Sequence, residues 1–344
     1  MSVGENGHTI AIPHIKVRQL KASAVTAPNY ERKVLMKRVV VLGAVLVVGA
    51  LSVAAAAYQQ STQGLPVAAL AATKIEKVKD NMYMITGSDP TDRQAFSGGN
   101  TVVFITDNGV VVVDTKLAGW GQVLLDKIHS VTNKPVTTII NTHTHGDHTG
   151  SNEAFPATVD VIAHENTKAN MAKMDAFKGD KAKFLPKRTF KDKMSIGSGK
   201  DQIDLYYFGR GHTNGDTWLV YPALRVMQTG DMFAWKDAPT LDKNNGGSGL
   251  EYAQTIGKAL ATVKNVDTLI VGHSPLRTLP ELQEYQRFMN DFVAAVRDAN
   301  KAGKSVDEAA ASINLNAKYK GYKNDRYKPA IQVIYDELKE QGSK

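Results

Sequence analysis

The chain of 344 residues contains no cysteine. Disulfide bonds, thiolate metal sites and iron–sulfur clusters are therefore excluded, and stability must rest on the burial of a core. Any metal ion must be held by imidazole and carboxylate groups, which is a donor set that suits zinc. Nine histidines are available for that purpose.

One long apolar run stands out at residues 39–57, which are all Val, Leu, Gly, Ala or Ser. The run follows Lys37 and Arg38 and ends in four alanines, a pattern typical of a secretory signal peptide cleaved after Ala57. A membrane anchor is the alternative, since the run is just long enough to span a bilayer. Both interpretations predict an exported catalytic part, periplasmic or secreted, that touches the membrane only if the segment is uncleaved. We also hypothesise that Met36 is the initiator, which mass spectrometry of the native protein would test.

Acidic residues are too few to balance the basic ones, and the formal net charge is +8. Residues 1–38 carry seven basic and two acidic groups, or +5, which leaves +3 for residues 39–344. The basic excess therefore belongs mostly to targeting. An exported chain without an aromatic and basic stacking pattern is a poor nucleic-acid binder, and we expect the lysine-rich residues 178–193 to form a solvated helix and loop surface.

A cluster of histidines follows the β-branched stretch 137–141. His143, His145, Asp147 and His148 form an H-x-H-x-D-H run that holds three of the nine histidines. His143 and His145 project to the same side of an extended chain and can bind one ion together. Gly146 allows the chain to turn, so that Asp147 and His148 can face a second position.

Three later motifs also end strand-like segments. They are Gly-His-Thr at 211–213, Thr-Gly-Asp at 229–231 and Gly-His-Ser at 272–274. In order and spacing, the whole series resembles the metallo-β-lactamase superfamily. The resemblance implies an α/β fold, a four-layer αβ/βα sandwich, here with C-terminal helices. It also implies two zinc ions per chain, the first on His143, His145 and His212, the second on Asp147, His148 and His273, with Asp231 bridging both. By the same resemblance, Asp114 supports the site without binding metal.

The aspartate at position 231 differs from the residue in the best-known members, because the cysteine-ligand lactamases have a cysteine at the matching position. The full set is more similar to glyoxalase II and the lactonases. The resemblance implies a hydrolase whose metal-bound hydroxide, oriented by Asp147 as the catalytic residue, cleaves a small ester, lactone, thioester or amide, a β-lactam among them. The alternatives are a mononuclear iron persulfide dioxygenase and a metal-binding accessory protein of an exported redox pathway.

The expected organisation is an N-terminal segment at 1–57, a linker at 58–73, a catalytic domain at 74–275 and a C-terminal helical extension at 276–344. Periodicity predicts a hairpin of strands 101–105 and 110–114, then a helix over 119–131 that leads to the strand 137–141. Strands are also expected at 161–163, 203–208, 217–221 and 268–271, and helices at 251–263, 281–302 and 327–341.

Substrate choice is expected to depend on two loops, residues 88–100 and 235–249. Lys236 could pair with a substrate carboxylate, although a solvated lysine on a mobile loop is the simpler interpretation. Trp235 or Phe233 could line an apolar pocket or belong to the core. The expected partner is a small molecule, and the pattern does not predict an oligomeric state.

Overall fold

The computed structural model describes residues 33–44 and 64–342. The chain divides into two units, Met1–Gln59 and Gln60–Lys344. In the first unit, residues 33–44 form helix α1, whose side chains are mostly exposed. Residues 45–57 of the predicted signal or anchor, with the expected cleavage point, lie outside the described residues. In the part of the chain that is described, no helix combines the length and the apolar character needed to cross a membrane.

The first sheet of the second unit contains seven strands in sequential order. They are β1 (Ile75–Lys79), β2 (Met82–Ile85), β3 (Thr101–Thr106), β4 (Gly109–Val113), β5 (Val136–Ile140), β6 (Asp160–His164) and β7 (Arg188–Phe190). Strands β1 to β4 pair antiparallel, and β4 to β7 pair parallel. The predicted 101–114 hairpin is present, with its turn at Asp107-Asn108. The carboxyl ends of β4, β5 and β6 therefore meet at one edge.

The second sheet contains five strands in the order β12-β11-β10-β9-β8. They are β8 (Lys193–Ile196), β9 (Ile203–Tyr206), β10 (Trp218–Tyr221), β11 (Val226–Gln228) and β12 (Thr268–Ile270). Strands β8 to β11 pair antiparallel, while β11 and β12 are parallel. The carboxyl ends of β9, β11 and β12 therefore point the same way.

Most of the helices lie on the outer faces of the two sheets, and one short helix lies at the edge where β5 ends. The helices of the second unit are α2 (Val67–Ala72), α3 (Gly121–His129), α4 (Gly146–Thr149), α5 (Glu165–Met171), α6 (Gly249–Thr262), α7 (Leu279–Lys301), α8 (Val306–Ser312) and α9 (Tyr327–Gly342). Leu124 and Ile128 of α3 pack on the outer face of the first sheet. Side chains of both sheets fill the space between them, such as Phe104 against Tyr221, whose rings lie 5.2 Å apart. The layers confirm the predicted αβ/βα sandwich.

The C-terminal helices share one core with α6 and the outer face of the second sheet. Their apolar face includes Phe288, Phe292, Ile331 and Ile334, all fully buried. Helix α8 begins at a capping box of Ser305 and Glu308, in which each side chain accepts from the other's backbone N–H. These helices therefore belong to the sandwich as its fourth layer.

Two expectations about the chain path were wrong. Helix α2 lies within the predicted linker 58–73. The segment 178–193, expected to be helix and loop, contains β7, and β8 begins at its last residue. These strands of three and four residues are too short for a recognisable period, and they form the outer strand of each sheet. Lysines are common on such edges because charge discourages strand pairing between chains.

Candidate metal centre

The edge where the strands end gathers all seven residues predicted to bind metal. The run His143–His148 follows β5, His212 lies between β9 and β10, and Asp231 and His273 follow β11 and β12. The potential donor atoms form three groups, within each of which they lie within 4.8 Å of one another: His143, His145 and His212; Asp147, His148 and His273; and His143, His148 and Asp231. The first two groups are the two predicted triads.

Asp231 lies between the triads. Its Oδ2 is 3.6 Å from Nε2 of His212 and 3.3 Å from Nε2 of His273, and its Oδ1 is 3.3 Å from Nε2 of His148. One carboxylate thus reaches a histidine of each triad. The geometry is the one expected of a bridging ligand, although the binding of metal itself stays a prediction.

Each of the five histidines donates one ring nitrogen away from the centre. The acceptors are Thr142 Oγ1 for His143 (2.9 Å), Asp242 for His145 (2.7 Å), Asp114 for His148 (2.7 Å), the Thr240 carbonyl for His212 (2.6 Å) and the Ser88 carbonyl for His273 (3.2 Å). These bonds fix the ring orientation and leave the other nitrogen facing inward, as outer partners do in metal sites.

The distances between the inward-facing donor atoms are close to those expected around a shared metal ion. Nδ1 of His145 and Nε2 of His212 lie 2.9 Å apart, and Nε2 of His148 and of His273 lie 3.2 Å apart. Two nitrogens on one tetrahedral zinc, with bonds of about 2.0–2.1 Å, would lie about 3.3 Å apart. Nε2 of His143 and Oδ1 of Asp231 are buried and make no hydrogen bond to any described residue. Buried polar atoms without a partner are costly, and a metal ion would satisfy these two.

Asp114 anchors the His148 side of the site, as the resemblance implied. It is fully buried, and its carboxylate accepts from His148 Nδ1 and from the backbone and hydroxyl of Thr142. Its φ of 64° is rare for a residue with a side chain. The hydrogen bonds to its carboxylate offset the strain of this conformation, which directs the side chain toward the centre.

Two glycines leave room for the donors. A Cβ atom on Gly99 would collide with the ring of His148, and one on Gly272 would collide with Oδ1 of Asp231. Both positions therefore require the smallest residue because the backbone passes directly beside a donor group.

Charge is distributed unevenly between the triads. Burial, followed by the neighbouring His148, lowers the pKa of His143 well below its ordinary value, and burial also lowers the pKa of His212. Burial acts in the same direction on His148 and His273, but there it is outweighed by carboxylates, chiefly that of Asp231. These carboxylates raise the pKa of His148 and bring that of His273 to about 9. The carboxylates therefore favour positive charge most strongly beside His148 and His273.

Comparison with known proteins agrees with this arrangement. A family model described as the metallo-beta-lactamase superfamily matches residues 95–280, which is more than half of the chain. The chain belongs to the metallo-beta-lactamase superfamily. It is accordingly a metallo-hydrolase by family.

Among curated proteins, the chain is 28% identical over 226 residues to a metallo-beta-lactamase type 2 of Elizabethkingia meningoseptica, covering 62% of this chain and 86% of that protein. It is 31% identical over 135 residues to the 2,4-dinitroanisole O-demethylase subunit alpha of Nocardioides sp. (strain JS1661), covering 38% of this chain and 40% of that protein. A solved metallo-beta-lactamase from Pontibacter korlensis superposes with a TM-score of 0.54 at 20% identity, covering 63% of this chain and 98% of that one. The structural likeness confirms the fold.

The predicted substrate residues have separate outcomes. The ring of Trp235 lies 5.6 Å from that of His273, so Trp235 borders the centre, and its substrate role stays a prediction. Phe233 is fully buried and stacks on Tyr285 in the core. Lys236 lies 3.2 Å from Glu281 and 3.8 Å from Glu284. The idea that Lys236 binds a substrate carboxylate finds no support here, because carboxylates of α7 already pair with its ammonium group.

Several functional positions were not predicted from the sequence. Asp242 lies in the loop 235–249, 97 residues beyond His145, and nothing in the local pattern indicates their hydrogen bond. Thr142 directly precedes the H-x-H-x-D-H run, but nothing in the sequence indicates its hydrogen bonds to Asp114, 28 residues away. Phe96, whose ring lies 5.8 Å from that of His273, gave no signal beyond its place in the loop 88–100.

Proposed function

We propose that this member of the superfamily binds two zinc ions and hydrolyses a small ester, lactone, thioester or amide. The proposal rests on one observation above all, the pair of triads that share the carboxylate of Asp231. A pair of zinc ions bound there would polarise a carbonyl oxygen and lower the pKa of water toward neutrality. The residues themselves orient the substrate and handle the proton.

Asp147 is proposed to orient the attacking water. Its side chain is 19% exposed, against 6% for Asp231, so it is the ligand carboxylate with more access to solvent. Its Oδ2 lies 3.3 Å from Nε2 of His273 and 3.6 Å from Nε2 of His148. Held by these imidazoles, the carboxylate can accept a hydrogen bond from water and then a proton.

The chemistry near the centre indicates a substrate with an apolar part. Phe96 and Trp235 both flank His273, and an aromatic wall favours apolar groups. Asp231, in place of the cysteine expected in cysteine-ligand lactamases, favours an ester, lactone or thioester. A β-lactam is also a candidate substrate, because curated relatives are named metallo-beta-lactamases. An aryl methyl ether should be tested as well, because another curated relative is named an O-demethylase.

We also propose that the catalytic unit is exported. The apolar run 39–57 with its preceding Lys37 and Arg38 supports this. Cell fractionation followed by terminal sequencing of the recovered protein would test it. A new N-terminus close to residue 58 in the exported fraction is expected, whereas recovery of the intact chain in the cytoplasm would contradict export.

The decisive experiment measures zinc content together with hydrolysis of nitrocefin, an acyl-homoserine lactone, a thioester and 2,4-dinitroanisole. About two zinc ions per chain and turnover that chelation abolishes are expected. Asp147→Asn should lose turnover and keep its circular dichroism spectrum. Asp267→Asn is the matched control, because Asp267 pairs with Arg225 and Lys79 at the start of β12, the end opposite the triads. Iron alone with no hydrolysis would overturn the proposal.

A further inference from the structure

Arg326 is a buried arginine directly before the C-terminal helix α9, beyond the residues that the family model matches. Only 9% of the residue is exposed. Burying a guanidinium requires compensating partners, because an unpaired buried charge is strongly destabilising. Its partners therefore indicate what this side chain does.

The guanidinium of Arg326 contacts three side chains at once. Nη2 donates to Oδ1 of Asp89 over 2.7 Å, and Nη1 lies 3.6 Å from Oδ2 of Asp237. The planar group also lies over the ring of Trp235, 3.7 Å from its centroid. Arginine suits such a site because it can stack on an aromatic face while its nitrogens bind carboxylates, which lysine cannot do equally well.

Two of these partners lead directly to the metal centre. The ring of Trp235 contacts the guanidinium and also lies 5.6 Å from the imidazole of His273. Asp89 follows Ser88, whose carbonyl accepts from Nδ1 of His273. Arg326 therefore reaches the surroundings of one metal-ligand candidate by two independent routes.

Asp89 lies in a loop that has a separate attachment at its base. The ammonium of the fully buried Lys116 donates to the carbonyls of Thr86 and Gly99, both over 2.8 Å. These carbonyls flank residues 87–98, a segment that includes the half-buried Phe96. Lys116 joins the two ends of the loop, and Arg326 holds the part near Asp89.

We propose that Arg326 is a positioning residue that holds the loop 87–98 and Trp235 against His273, so that the C-terminal helical layer supports the aromatic wall of the substrate site. The wall consists of Phe96 and Trp235. Its effect falls on substrate binding, because the guanidinium contacts Trp235 of the wall, and its described side-chain partners include none of the seven ligand candidates. The kinetic consequence rests on the proposed hydrolase function, while the structural consequence does not.

The structural consequence is tested on the full chain without substrate. Arg326→Ala is compared with Arg326→Lys and with Lys328→Ala, which breaks the exposed ion pair between Lys328 of α9 and Asp307 of α8. Hydrogen exchange of peptides covering residues 87–98 should be about tenfold faster in Arg326→Ala, as for a locally opened segment. Arg326→Lys should recover part of the protection, and Lys328→Ala should match the wild type. Asp89→Ala, which removes the same contact from the loop side, should reproduce the Arg326→Ala result.

Tryptophan fluorescence provides a second readout. The chain has three tryptophans, of which Trp120 and Trp218 are 2% and 0% exposed. Loss of the guanidinium should therefore increase acrylamide quenching mainly through Trp235. Unchanged quenching and unchanged exchange in residues 87–98 would overturn the proposal. So would exchange that rises equally over α7 and α9, because Arg326 would then only stabilise the helical layer.

The kinetic consequence uses whichever substrate of the panel the wild type hydrolyses. Arg326→Ala should raise KM about fivefold or more and change kcat by less than about twofold, the pattern of lost substrate binding. A loss in kcat with unchanged KM would overturn the binding role. If the wild type hydrolyses nothing, the proposed function fails, and the exchange and fluorescence results still decide the role of Arg326.

Discussion

Replacing Asp242 by asparagine should weaken only one of the two proposed metal positions. Oδ2 of Asp242 accepts from Nε2 of His145 over 2.7 Å, which leaves Nδ1 of that ring facing His212. Burial opposes the ionisation of Asp242, but hydrogen bonds from His145 and Asn245 outweigh it and hold the pKa of this carboxyl well below its ordinary value. The carboxylate is thus charged when it orients His145.

The expected size follows from what the substitution removes. Asparagine keeps the shape but loses the charge. Its NH2 group must replace either Oδ2, which accepts from His145 and the Asn245 side chain, or Oδ1, which accepts from the Asn245 backbone N–H, so some of these bonds are lost. Loss of such an outer partner costs about 10–100-fold in metal affinity, or about 1.4–2.7 kcal/mol. The backbone N–H of Asp242, which donates to the His212 carbonyl, is unaffected.

Zinc titration against a chromophoric chelator measures the effect. The wild type should bind two ions, and Asp242→Asn should bind one of them normally and the other more weakly, while Asp267→Asn should match the wild type. His273→Ala serves as a reciprocal variant because it removes a donor of the other triad. The double variant Asp242→Asn/His273→Ala should bind neither ion tightly. If it behaves like His273→Ala alone, Asp242 does not support the His143–His145–His212 position and the reasoning is refuted.

Three further outcomes follow from the same structure. Asp114→Asn should lower affinity about 10–100-fold for the ion beside His148, measured by the same titration; equal loss of both ions would contradict its local role. Gly272→Ala should displace the Asp231 carboxylate and destabilise the fold by about 1–3 kcal/mol, seen as reduced zinc content and a lower Tm, and unchanged zinc content would refute the close approach. Burial raises the pKa of Asp89, but hydrogen bonds from Thr91 and the charge of Arg326 outweigh it and lower the pKa below 3.8. The stability that this carboxylate contributes is present above its pKa in the unfolded chain, 3.8, and is lost as the pH falls through its lower pKa in the folded protein. Acrylamide quenching of Trp235 should therefore rise below about pH 4. The Arg326→Ala variant should show a weaker acid response, and an identical response would exclude the ion pair as its cause.

Much of the centre could be predicted from the sequence because each donor lies in a recognisable short motif a few residues after a strand. The run His143–His148 follows the β-branched β5, and the motifs at His212, Asp231 and His273 come after β9, β11 and β12. Strands that run in the same direction bring their carboxyl ends to one edge, so local patterns and their order were sufficient to group these residues. The αβ/βα layers followed from the same alternation of strands and helices.

Only the tertiary structure showed the partners that hold these residues in place. Asp242 meets His145 across 97 positions of the chain, and Arg326 meets Asp89 across 237. A hydrogen bond of this kind depends on which two segments lie next to each other in the folded chain. The sequences of such segments have no periodicity that predicts this contact. The same reason explains why the ion pairs of Lys236 with Glu281 and Glu284 could not be predicted from the sequence. The identity of the donor residues is therefore set by local sequence motifs, whereas the orientation of their side chains depends on the packing of the whole chain.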